Sequence, residues 1–150
     1  MCLMCIIQRL VEPLKKRRCV IARPDPLYFQ NEMCNNTMSI VNTDNVEHYK
    51  WGKDSDGWHL LKSEELSIIE ENVPPNESEK RHYHKESQQF FYILSGVAQV
   101  EVSGSVYEIQ AGSGIHVPAK EPHQLMNKGE ENLRFLVISQ PKSHGDRIYA

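Results

Sequence analysis

From Phe90 to Ser139 the chain is cut by glycine and proline into short apolar runs, each the length of a strand and none long enough for a core helix. Phe90-Phe91-Tyr92-Ile93-Leu94 ends at Ser95-Gly96, and Val97-Ala98-Gln99-Val100-Glu101-Val102 alternates apolar and polar residues before Ser103-Gly104. Val106 to Ile109 leads to Ala111-Gly112, and Ile115 and Val117 alternate with Gly114 and His116. After a loop from Pro118 to Pro122, His123 to Asn127 and Leu133 to Ser139 read as closing strands. Such short strands with glycine between them predict an antiparallel meander. The expected fold class is all-β, two sheets closing as a jelly-roll barrel, an arrangement that also hides strand edges.

Upstream, Leu66 to Glu70 reads as a strand leading into Val73-Pro74-Pro75-Asn76, where paired prolines hold an extended path. Lys62 to Leu66 fits a helical turn or a loop. Trp51 and Trp58, close to Gly52 and Gly57, suggest an opening strand or turn that lays aromatics over one end of the barrel. Ser139 to Arg147 is polar and reads as solvated coil, the alternative being a segment folded across the barrel.

The chain of 150 residues is the size of one folding unit. Its net charge of −3 and the lack of an apolar run near the roughly 20 residues that span a bilayer point to neither nucleic acid nor membrane as partner. Composition breaks near residue 37. Residues 1–37 hold all four cysteines, Cys2, Cys5, Cys19 and Cys34, and no histidine. Their six Lys/Arg against three Asp/Glu leave eleven against seventeen for the rest. A secretory signal would put its positive charge before the apolar stretch, whereas Lys15-Lys16-Arg17-Arg18 follows it, and an organellar peptide would carry serine. Cys2-Leu3-Met4-Cys5 has no second pair at zinc spacing. Residues 1–37 are therefore read as an extension, disordered or a misassigned start, and 38–150 as the barrel domain. A barrel region without cysteine suits a reducing cytosol.

His82 and His84 are two apart, and side chains on a strand alternate between faces. Both imidazoles therefore project from one face about 7 Å apart along the chain, close enough to converge on one ion. A lone histidine in a β protein is more often a surface or hydrogen-bonded residue, and His48, His59, His116 and His144 are read that way, with His116 outward because Val117 points inward.

The wider pattern resembles the two motifs of the cupin superfamily. In the first, His82, His84, Gln89 and Gly96 fall in register, with Gln89 where the family has Glu and Asn76 where the motif would begin with Gly. In the second, Gly112, Pro118, His123 and Asn127 fall in register, with Lys120 in place of a glycine. The spacer from Val97 to Ala111 is the short one of small single-domain members. The resemblance implies the same barrel fold, a homodimer, and a metal site of His82, His84, Gln89 and His123. Gln88 and Glu86 stand close by, but the spacing to Gly96 favours Gln89, which shares its face with Phe91 and Ile93.

An amide in place of a carboxylate leaves three neutral imidazoles and a neutral oxygen around the ion. A divalent cation then keeps its full charge, binds more weakly and acts as a stronger Lewis acid. Nitrogen and oxygen ligands suit one divalent ion of Fe, Ni, Zn, Mn, Co or Cu. Phe91, Ile93 and Leu125 are expected to wall a small-ligand cavity, with Asn127 as a polar contact or an anchor. Tyr83, Tyr92 and Gln124 lie on the other parity. The expected function is a mononuclear metalloenzyme, dioxygenase- or isomerase-like, acting on a small oxygenated organic molecule. The alternative is a non-catalytic module that binds or senses such a ligand.

Overall fold

The computed structural model describes residues 39–150, so the reading of residues 1–37 falls outside the described residues. Eleven strands and no helix are present among them: β1 (His48–Trp51), β2 (Ser55–Lys62), β3 (Ser67–Val73), β4 (His82–His84), β5 (Gln88–Ser95), β6 (Val97–Val102), β7 (Ser105–Gln110), β8 (Gly114–Val117), β9 (His123–Met126), β10 (Leu133–Gln140) and β11 (Arg147–Tyr149). They form two antiparallel sheets, of order β1-β2-β3-β10-β5-β8 and β11-β4-β9-β6-β7. This is the all-β jelly roll that the short alternating runs predict.

Period-two alternation decides which residues meet between the sheets. The larger sheet contributes Ile69 and Val73, Phe91 and Ile93, Val117, and Leu133, Phe135 and Val137; the smaller contributes Ala98, Val100, Ile109 and Leu125. Truncating a buried phenylalanine such as Phe91 or Phe135 to alanine costs about 3–5 kcal/mol, because the lost transfer energy is joined by a cavity that close packing cannot refill. The outward residues of β5 behave as expected, with Gln88 exposed and hydrogen-bonded to an equally exposed His116.

Three turn positions have a left-handed backbone, and at two of them another residue stands where the motifs would carry glycine. Gly96 has φ 82°, and a Cβ there would stand 3.0 Å from Asn132 O and 3.2 Å from Leu133 Cα. Asn76 and Lys120 occupy positions where the motifs carry glycine, and both adopt the left-handed conformation, with φ 65° and 71°. The backbone path is kept although the glycine is not; asparagine tolerates this region and lysine is strained in it. The Lys120 N–H donates to His84 O at 2.7 Å, which ties that loop to the ligand strand.

Of the two readings of Lys62 to Leu66 the loop is found: it follows the end of β2, and in it Ser63 Oγ donates to Leu66 O and accepts from Leu66 N–H. The polar tail is irregular from Pro141 to Asp146 but folds back on the barrel, where β11 pairs with β4, Arg147 facing His84 and Tyr149 facing His82. Asp146 accepts from the N–H groups of Lys85, Glu86 and Ser87 at 3.1, 3.0 and 2.9 Å. Polar residues hide an edge strand from pattern reading, because their pairing is through backbone and charge.

Candidate metal centre

β4 and β9 are hydrogen-bonded neighbours with His82 directly facing His123, and strand parity puts His84 on the same side as His82. All three imidazoles are buried, and one ring nitrogen from each lies within 4.8 Å of the other two. The ring centroids are 4.4, 5.0 and 5.8 Å apart. Two nitrogens bonded tetrahedrally to one ion at about 2.1 Å stand about 3.4 Å apart, so side-chain shifts of under about 1 Å close the triad.

Hydrogen bonds fix which nitrogen faces inward. His82 Nδ1 lies 2.8 Å from Lys80 O, and His123 Nδ1 lies 2.9 Å from Glu121 O; since a carbonyl only accepts, each Nδ1 carries the proton. In a neutral ring Nε2 then presents a lone pair, and His82 Nε2 is buried without a partner, as are both ring nitrogens of His84. Burial, helped by the charge of Arg147, pushes His82 down to about 3. Burial, then the neighbouring His123 and Arg147, push His84 down to about 4. Burial lowers His123 as well. At neutral pH the three rings are uncharged bases.

Gln89 reaches the triad from the other sheet. Its amide Nε2 donates to the buried Ser139 hydroxyl, which it faces across β5 and β10, at 3.2 Å. That orients Oε1 toward His123 Nε2, 2.9 Å away. His123 Nε2 and the Gln89 amide are in hydrogen-bond reach of each other, whereas His82 Nε2 and both ring nitrogens of His84 have no partner. The donor set, three imidazole nitrogens and one amide oxygen, fits a divalent transition ion.

The centre opens through His84 and Gln89 onto a cavity of about 690 Å³, whose lining includes Tyr49, Trp51, His59, Glu71, Glu79, Phe91, His144 and Arg147. Of the four residues expected to contact a ligand, Phe91 alone lines it. Ile93 and Leu125 are fully buried core. Asn127 is an anchor: its Nδ2 donates to Val73 O and Glu131 O, both at 2.8 Å, and its Oδ1 accepts from Gly129 N–H, so no polar atom of the side chain is left for a ligand. His59 is corrected too, because it is buried on the cavity with Nδ1 lacking a partner, and its ring centroid is 5.1 Å from that of His144.

The polar residues of the cavity escape motif reading. Tyr49 donates to Glu71 Oε1 at 2.9 Å, and Arg147 donates to Glu79 Oε2 at 2.9 Å. Burial, reinforced by the charge of Glu79 and opposed by the Tyr49 bond, raises Glu71 to about 8. Burial raises Glu79 to about 7 against the attraction of Arg147. A signal for Glu71 existed: it shares strand parity with Ile69 and Val73, and so faces inward. No comparable signal marks Arg147.

Fold and site together define a metal-competent β-barrel class, and comparison with known proteins agrees. The cupin domain family model matches residues 69–139, and the chain belongs to the cupin family. It is 32% identical over 89 residues to the uncharacterized protein MJ1618 of Methanocaldococcus jannaschii, a match covering 59% of this chain and 71% of that one. It is 30% identical over 67 residues to polyketide synthase CurC of Streptomyces cyaneus, covering 45% of this chain and 44% of CurC, so the chain spans less than half of that relative. Among solved structures, the polyketide cyclase RemF of Streptomyces resistomycificus superposes with a TM-score of 0.66 at 22% identity, over 76% of this chain and 86% of RemF, which bears on the fold alone.

Proposed function

We propose that His82, His84, His123 and Gln89 hold one divalent transition metal ion, and that the ion binds an oxygen of a small oxygenated organic molecule in the adjoining cavity. One observation carries the reading: ring nitrogens of His82 and His84, buried without a hydrogen-bond partner, converge with His123 at spacing that suits one ion. The ion supplies Lewis acidity, enhanced because Gln89 brings no negative charge. The chain's own residues do the rest. Lys80 and Glu121 carbonyls hold two rings in one tautomer, Ser139 aims the amide, Phe91 excludes water on one side, and Tyr49, Trp51 and Glu71 give the ligand polar groups to meet.

The reading is of a metal-dependent enzyme, dioxygenase- or isomerase-like. The polyketide name of CurC supports a ligand rich in carbonyl or phenolic oxygen. Metal analysis of protein purified without added metal, followed by an oxygen-consumption and product screen over diketones, thiols and phenols, tests it. Stoichiometric metal with turnover is expected; protein free of metal that fails to take up Fe, Ni, Zn, Mn, Co or Cu on titration sinks it. The neutral Gln89 favours a second reading, a non-catalytic binding or sensing module, which would retain metal and ligand and turn nothing over.

A homodimer completes the proposal. Phe90, Tyr92 and Leu94 lie exposed in a row on the outer face of β5, an apolar strip that a second copy would cover. Sedimentation equilibrium is expected to give twice the chain mass, and a monomer at all concentrations would refute pairing.

A further inference from the structure

Three residues are in register on adjacent strands, and the outer two line the cavity: Tyr49 on β1 faces Gly57 on β2, and Gly57 faces Glu71 on β3. Gly57 is the space that joins the other two. A Cβ at that position would stand 2.3 Å from Tyr49 Cζ and 2.6 Å from its hydroxyl, so only a residue without a side chain lets the ring lie across β2. The hydroxyl thereby reaches Glu71 Oε1, and among the described residues Glu71 has no other hydrogen-bond partner.

The charges around this pair are uneven. Glu71 and Glu79 line one cavity, but the guanidinium of Arg147 bonds Glu79, Lys62 is paired with Glu47 at 2.8 Å, and the Lys80 ammonium lies 5.6 Å from the Tyr149 ring. The other titratable neighbour, His59 on β2, stacks on Tyr49 with centroids 5.1 Å apart and is held neutral mainly by burial. Two carboxyls therefore share one committed cation, and the one left over faces the ligand space.

We propose that Glu71, positioned by Tyr49 across Gly57, is the acid–base group that removes a proton from a carbonyl ligand held at the histidine centre and returns it elsewhere on the same molecule. This rests on the metal reading above and narrows it to isomerisation. The C–H bond next to the carbonyl breaks; its proton goes to a Glu71 carboxylate oxygen, and its electron pair forms a carbon–carbon double bond as the carbonyl π pair moves onto oxygen. Return of the proton to a different atom regenerates the carboxylate and gives an isomer, with no oxidant or reductant consumed. Burial and the neighbouring Glu79 favour the neutral acid, so both protonation states of Glu71 are accessible near neutral pH, as a group that must accept and donate requires. Tyr49, raised by burial and by Glu71, stays protonated and serves as a positioning residue.

Two measurements test the proposal. In metal-free protein labelled with carbon-13 at the glutamate carboxyls, the resonance lost in Glu71→Gln should titrate well above the ordinary carboxyl range. Tyr49→Phe should move that midpoint further up, because the hydroxyl's bond favours the anion. In metal-loaded protein, deuterium uptake from heavy water into pyruvate or dihydroxyacetone should fall by about 100-fold or more in Glu71→Gln. It should fall less in Tyr49→Phe, with the pH profile displaced upward, while both variants hold as much metal as the wild type. The proposal is overturned by a Glu71 midpoint in the ordinary range, by a Glu71→Gln variant that exchanges like the wild type, or by wild-type exchange no faster than that of the free metal. A wild type that binds no metal sinks the metal reading instead, and is recognised before any ligand is added.

Discussion

Two groups of residues serve one cavity, and they are built in different ways. On β4 and β9 the imidazoles of His82, His84 and His123 converge, and ring nitrogens of His82 and His84 have no protein partner. On β1 to β3, Tyr49 and Glu71 have already found each other. The first group could hold a cation. The second is complete as protein and holds a proton that can move. A buried polar group costs free energy when unsatisfied, so the unsatisfied set marks where something must bind, and the satisfied set marks what is preorganised to act on it.

The largest expected effect separates the two groups. His123→Ala should lower metal affinity by about 100-fold or more, since even partners that merely orient a ligand contribute about 10–100-fold. Glu71→Gln should leave affinity near the wild-type value. Inductively coupled plasma mass spectrometry and competition with a chelating dye would show it, and equal loss in both variants would mean that the groups are not separate.

Next in size is Gly57→Ala. The added methyl must displace the Tyr49 ring, and overpacking of this kind costs about 1–3 kcal/mol. Chemical denaturation measures the loss, and an unchanged midpoint would show that the ring has room the structure does not give it.

The groups also oppose each other in pH dependence. His82 and His84 titrate lower folded than unfolded, so the unfolded chain binds more protons below about 6.5, and metal-free protein loses stability as pH falls from there toward about 4. Glu71 and Glu79 titrate higher when folded, so their contribution is full below the ordinary carboxyl value and is lost as pH rises toward about 8. Metal-free protein should therefore be most stable between about pH 4.5 and 6.5, where the two trends oppose each other. Glu71→Gln should flatten the alkaline side alone, as thermal melts across pH would record.

The smallest effect tests the turn. Lys120→Gly relieves a left-handed lysine but loosens the unfolded chain, and a net gain of up to about 1 kcal/mol is expected. A loss would show that the lysine side chain contributes more than its backbone strain costs.

How much of this was legible depended on whether a residue repeats a pattern. Val97 to Val102 alternates cleanly and is a strand with those limits. The inward side of Gln89 and the outward side of His116 followed from parity counted from their neighbours. Arg147 had no such handle. Its strand is three polar or half-buried residues whose pairing with β4 rests on backbone bonds, on Asp146 and on a glutamate 68 positions away. For Asn127 the motif position left anchor and polar contact both open, because its backbone partners, Val73, Glu131 and Gly129, become visible only when the chain is folded.

The sequence by itself determined the barrel, its inward faces and the histidine triad, because the alternation of a strand is local and a motif preserves register across a turn. The joining of Tyr49 to Glu71 over a bare Gly57, and of Arg147 to Glu79, was decided only by tertiary structure. Which side chains meet across strands depends on the register between them, and that is set by packing of the whole core rather than by any neighbouring residues.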